Sequence, residues 1–244
     1  MTVAELIEQA HQHVPDGLDE PYWQAVRELQ QRNDEETYLA AVEQCRSADL
    51  DRRALGVDIL GQLGFSLNEE DRAFREPTIV LLLELVEREQ EPHVLASILD
   101  AFGHIHDPRT IGSTVALATH ADEHVRLSVV HGLFRHDDDR AVDALLALME
   151  DPDDDVRDWA TFELGTINDR DSPRIRDALT ARLRDTHRAT HDEAIAGLAK
   201  RGDPRGLAVL IEDYEDGWEG PMIDEAGELY VEAGLLESWP PPGY

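Results

Sequence analysis

The chain has a single cysteine, Cys45, so no disulfide can form within it and its stability must come from packing. That usage fits a reducing compartment, and a cytoplasmic setting is the expectation. Without a histidine placed to activate it, Cys45 reads as a small buried hydrophobe. Lysine is equally scarce. Lys200 is the only one, and the other 21 of the 22 basic residues are arginines, a bias that fits a GC-rich coding sequence or adaptation to high salt. Against 53 acidic residues this leaves a net charge of −31. A polyanion of this strength is repelled by phosphate backbones and anionic membranes, so neither is expected as a partner. Long apolar runs are missing too: the longest, Ile79–Val86, is interrupted by Glu84 and is too short to span a bilayer. The first residues, "MTVAELIEQAHQH", lack a basic region and read as an acidic amphipathic helix rather than a secretory signal. There is no glycine-rich phosphate loop, no Gly-x-Ser-x-Gly elbow and no dinucleotide fingerprint. No catalytic residue, metal or cofactor is therefore expected, and the protein is read as not an enzyme.

What the chain does have is a repeat. "VLASILDAFGHIHDPR" from Val94, "VRLSVVHGLFRHDDDR" from Val125, "VRDWATFELGTINDRDSPR" from Val156 and "THDEAIAGLAKRGDPR" from Thr190 start 31, 31 and 34 residues apart. Ile98, Val129, Ala160 and Ala194 share one position, and Phe102, Leu133, Leu164 and Leu198 another. Asp107, Asp138, Asp169 and Asp203 share a third, just past the helix end. An arginine and a second apolar-periodic run follow each aspartate loop. A weaker copy, "LGVDILGQLGF", starts at Leu55. Apolar residues at offsets 0, 4, 5 and 8 form the stripe of an amphipathic helix, and Asp- and Pro-rich turns stop one helix and cap the next. No segment alternates with the period of a strand. A helix pair this small cannot bury its apolar face alone, so neighbouring pairs must stack into one core. The expected class is all-α: an α-solenoid of antiparallel helix pairs in a single domain over residues 1–244. Within it, 1–48 form an N-terminal cap and first outer helix, 50–213 the repeats, and 214–244 a closing helix with the tail "PPPGY", which cannot continue a helix.

The phrase "DDDVRDWATFELG" at 153–165 resembles the HEAT-like repeats named after phycobilisome lyase subunits, and the resemblance covers about residues 50–213. The copy at 125 has Phe134 in place of the glycine, the copy at 94 has Leu95 in place of the arginine, and the copy at 190 lacks Val-Arg. The resemblance implies that the Val-Arg helix lines the concave surface. It also implies that Arg126 and Arg157 form a structural ladder with Asp122 and Asp153. A scaffold that binds a partner protein or peptide in its groove, itself a monomer, is the implied function. A bilin-lyase-like chaperone subunit is one alternative. A relative of the HEAT-like DNA glycosylases is another, disfavoured because such enzymes need a basic groove.

If offsets 0, 4, 5 and 8 are core, offsets 3, 6 and 10 face elsewhere. They give Asp58, Gly61 and Phe65; Ser97, Asp100 and His104; Ser128, His131 and Arg135; Trp159, Phe162 and Thr166; and Glu193, Ala196 and Lys200. Asp100, His104, His131, Arg135, Trp159 and Phe162 are the candidate partner-binding residues, because aromatic and arginine side chains concentrate binding energy at interfaces. Trp159 and Phe162 could equally be packed against the next layer. The partner should present a basic surface to so negative a field.

Other patterns fail on their chemistry. "HADEH" at 120–124 spells an inverted zinc-peptidase motif but straddles a turn, whereas that motif needs both histidines on one helix. "DPDDD" at 151–155 begins like a calcium loop, yet Val156 and Phe162 stand where glycine and glutamate are required. His104, His106, His131 and His136 have no convincing ligand spacing and read as solvated or loop histidines.

Overall fold

The computed structural model describes residues 1–13, 20–68 and 72–241; the last three residues of the "PPPGY" tail lie outside them. Among the described residues there are fourteen α-helices and no strand. The chain divides into two compact units, Met1–Leu133 and Phe134–Tyr244. The first holds α1 (Val3–His13), α2 (Glu20–Gln30), α3 (Glu35–Cys45), α4 (Leu50–Gly61), α5 (Arg75–Val86), α6 (Pro92–Ile105), α7 (Ile111–Ala116) and α8 (Glu123–Gly132). The second holds α9 (Asp139–Leu148), α10 (Asp154–Phe162), α11 (Pro173–Arg182), α12 (Arg188–Lys200), α13 (Pro204–Glu215) and α14 (Pro221–Glu232), with α10 prolonged by a π-helical turn, Glu163–Ile167. No helix is long and apolar enough to cross a membrane among the described residues.

The turn chemistry starts these helices. The carboxylates of Asp34, Asp49, Asp122, Asp138, Asp153 and Asp203 and the hydroxyl of Ser172 each accept a backbone N–H of the helix that follows. Proline opens α6, α11, α13 and α14, where its missing N–H costs nothing. The repeat positions then build the core. Val94, Val125, Val156 and Thr190 are fully buried, as are Ile98, Val129, Ala160 and Ala194, and Phe102, Leu133, Leu164 and Leu198. A large apolar side chain so buried contributes about 1.5–3 kcal/mol.

In the first unit α6 packs between α4 and α8, while α3, α5 and α7 pair with α4, α6 and α8. In the second, α12 packs between α10 and α14, while α9, α11 and α13 pair with α10, α12 and α14. Two glycines set how closely the helices approach. A Cβ at Gly103 of α6 would stand 2.5 Å from the carbonyl oxygen of His131 of α8, and one at Gly197 of α12 would stand 2.7 Å from Cα of Gly165.

Two registers differ from the sequence expectation. Aligned by their N-caps, Asp49 matches Asp122 and Asp153, so the first copy is displaced by three residues. Asp58 then falls level with Asp100, His131 and Phe162, and Arg53 falls level with Arg126 and Arg157. At the aspartate loops, Asp107, Asp138 and Asp203 each take a forked bond from the arginine two residues on. In the fourth copy the equivalent acceptor is Asn168, which takes the backbone N–H of Arg170, while Asp169 pairs with Lys200.

Candidate functional site

The first unit gathers its candidate residues around one cavity of about 650 Å³. Asp58 on α4, Ser97 and Asp100 on α6, and Ser128 and His131 on α8 all line it, joined by Trp23, His93 and Leu127. Stacking explains the convergence: residues at one register on successive helices fall in a row. Nδ1 of His131 lies 3.1 Å from a carboxylate oxygen of Asp100. Tyr22 donates its hydroxyl to Asp58 Oδ2 at 2.5 Å, and burial pushes the Asp58 carboxyl up to about 6. Trp23 meets Tyr22 edge to face, with ring centroids 5.0 Å apart. His104 lies one turn further along α6 at the surface. His106 ends that helix in a left-handed cap, donating to the carbonyl of Phe102.

The second unit holds Arg135, Trp159 and Phe162. Trp159 is 39 % exposed and Phe162 half-buried. Their rings meet edge to face at 5.7 Å, and Phe134 adds a third ring 6.0 Å from Trp159. Beneath them the π-helical turn carries Glu163, fully buried, whose Oε1 accepts the backbone N–H of Arg135 at 2.7 Å. Arg135 takes that position with a left-handed φ of 60°. Burial drives the carboxyls of Glu163 and Glu193 up to about 7 and raises that of Asp158. The side chain of Arg135 lines a second cleft, of about 630 Å³, with Asp137, Thr166 and Arg170; there the Arg170 guanidinium is committed to Asp137 and Asp139.

Nothing in the sequence marked Glu163 or Arg201, yet both shape this region. The guanidinium of Arg201 is almost wholly enclosed and donates to the carbonyls of Leu164, Gly165, Asn168, Arg170 and Gly197. It satisfies the oxygens that a π-helical turn and a helix end leave open.

Asp122 and Asp153 are N-caps. Arg126 donates to the carbonyls of His120 and Ala121. Arg157 donates to the carbonyl of Asp151 and pairs with Asp154 and, 28 residues on, with the buried Asp185 of the next turn. Arg53 does the same in the first unit, with Glu89 and the carbonyls of Ser47 and Ala48.

Two clusters bring ligand-type atoms within 4.8 Å of one another among the described residues: Asp122, Glu123 and His124, and His191, Asp192 and Asp213. In the first, Asp122 already caps α8. In the second, the Arg188 guanidinium bonds both carboxylates and lies 4.1 Å from the ring centre of Trp218, occupying the cationic position.

Stacked helix pairs with a repeated apolar register and capped acidic turns define an α-solenoid. The model for HEAT repeats matches residues 79–165 and 146–226, and the chain belongs to the HEAT repeat family. It is 29 % identical over 217 residues to the protein YibA of Escherichia coli, in strains K12 and O157:H7, covering 84 % of this chain and 74 % of YibA. The crystal structure of E. coli YibA superposes with a TM-score of 0.77 at 23 % identity, over 97 % of this chain and 84 % of that one. An archaeal HEAT-like repeat protein from Thermococcus onnurineus NA1 shares the fold, with a TM-score of 0.54, 16 % identity and coverage of 96 % and 97 %. HEAT repeats are in general protein-interaction modules.

Proposed function

We propose that the protein is a non-catalytic interaction module whose Val-Arg helices hold a partner protein or peptide with a basic surface. One observation carries this reading: Phe134, Trp159 and Phe162 form a three-ring cluster that leaves Trp159 substantially exposed. Rigid aromatic rings supply much contact area for little conformational entropy, and such anchors dominate interface energetics. The charge of the partner follows from the surrounding chemistry. Many arginines of the chain are already engaged by its own carboxylates or carbonyls, as in Arg109 with Glu76 and Asp107, Arg157 with Asp185, and Arg205 with Asp177 and Asp203. The surplus of acid is left to steer a cationic partner.

The test is affinity capture from the native lysate at moderate salt, comparing wild type with a Trp159→Ala/Phe162→Ala variant after circular dichroism shows both are folded. The variant is expected to lose the captured protein, with an affinity at least about tenfold weaker once measured, equivalent to about 1.4 kcal/mol or more. Retention of the same protein at full affinity would place binding elsewhere.

A further inference from the structure

We propose that the cavity of the first unit, between α4, α6 and α8, is a receptor for a guanidinium group: an arginine side chain of a partner protein. The inference takes from the interaction reading only that the cation belongs to a protein. Its residues lie in the other unit from the α10 aromatics, so either reading can fail alone.

The lining supplies the chemistry. Four acidic residues line it, Asp58, Glu91, Asp100 and Asp122, the last also capping α8, with no lysine or arginine among the described lining residues. Elsewhere the chain binds its own acids with its own arginines. Glu89 has Arg53, Asp107 has Arg75 and Arg109, and Asp185 has Arg157 and Arg182. Two of the cavity's carboxylates meet other partners. Asp58 accepts a phenol, and Asp100 meets an imidazole. Burial strips water from the Asp58 carboxylate, and a cation entering beside it restores what water no longer supplies. At about 650 Å³ the cavity has the dimensions of a ligand site and exceeds what a hydrated metal ion needs.

The same protein shows what this combination holds. Arg188 in the second unit lies over the face of Trp218, with carboxylates of Asp192 and Asp213 at 2.6 and 2.9 Å and His191 beside them. Tryptophan, two aspartates and a histidine surround that guanidinium. The described lining of the cavity presents Trp23, Asp58, Asp100 and His131 and includes no arginine. Arginine suits such a site better than lysine, because its planar fork bonds carboxylates in pairs and stacks on an aromatic face.

Nuclear magnetic resonance titration with acetyl-Gly-Gly-Arg-Gly-Gly-amide tests this directly, followed at the Trp23 indole N–H and the backbone amides of α4, α6 and α8. The comparison probes are the citrulline peptide, which keeps the shape without the charge, and free arginine. Saturable shifts confined to the cavity are expected with the arginine peptide and not with citrulline. Asp58→Asn/Asp100→Asn, which keeps the side-chain shapes and the acceptor for Tyr22, should weaken binding at least about tenfold. Glu36→Gln/Glu43→Gln removes the same charge from exposed positions on α3 and should change it by less than about twofold. Equal shifts with citrulline, an unchanged affinity in the aspartate variant, an equal loss in the glutamate variant, or tighter binding of free arginine than of the peptide would each overturn the proposal.

Discussion

Glu163 shows how much a single residue can hide. In the sequence it is one more acid in "FELG", on a helix already rich in acids. In the structure it is buried, and it fixes the left-handed backbone of Arg135. Its carboxyl is raised from an ordinary value of 4.5 to about 7, so between those pH values the native state binds more protons than the unfolded chain. Stability from this residue is therefore full below about pH 4.5 and falls as pH rises toward 7. Glu163→Gln keeps the acceptor for Arg135 and removes the ionisation. Chemical denaturation should show it more stable than wild type at pH 8 by about 1–3 kcal/mol, with no difference at pH 4.5. An equal effect at both pH values would mean that the buried charge is not the cause. Periodicity could place Trp159 and Phe162 on a face but not decide their exposure, because a ring at that register can pack or protrude. A third ring, Phe134, stands where the copies at 94 and 156 have glycine, and it lies against Trp159, which stays 39 % exposed.

At the scale of the helices, most of the architecture was legible. Aspartate caps, opening prolines and the buried positions such as Ile98 and Phe102 are local signals, and each marks the helix it belongs to. The displaced register of the first copy was not, because "LDRRALGVDILG" has no Val-Arg to anchor it and only the cap at Asp49 sets the phase. The π-helical turn was invisible for a related reason: its stabiliser, Arg201, comes from 34 or more residues away in the next repeat. Arg201→Met should remove five carbonyl contacts and cost about 3 kcal/mol in denaturant unfolding, with the loss centred on α10 and α12 in hydrogen exchange. A change below about 0.5 kcal/mol would show that water replaces it without penalty. Gly103→Ala tests the contact of α6 and α8 in the same way. With the carbonyl of His131 only 2.5 Å from the new Cβ, a destabilisation of about 1–3 kcal/mol is expected.

For the molecule as a whole, charge is the dominant fact. With 53 acids against 22 basic residues, added salt should raise the thermal midpoint by screening self-repulsion. A midpoint that falls as salt rises from about 10 mM to about 0.5 M would mean that the arginine pairs outweigh the repulsion. The sequence stated this charge plainly but could not say which acids are internally paired. Pairs such as Arg157 with Asp185 join separate repeats, and the carboxylates around the first unit's cavity are recognised only once three helices are stacked.

We propose that a basic partner rests on the Val-Arg helices and their equivalents. Hydrogen–deuterium exchange of the protein with its captured partner would test it most directly. Protection is predicted on α6, α8 and α10, around Asp100, His131 and Trp159, weakening as salt is raised. Protection confined to α5, α7, α9, α11 and α13 would contradict it.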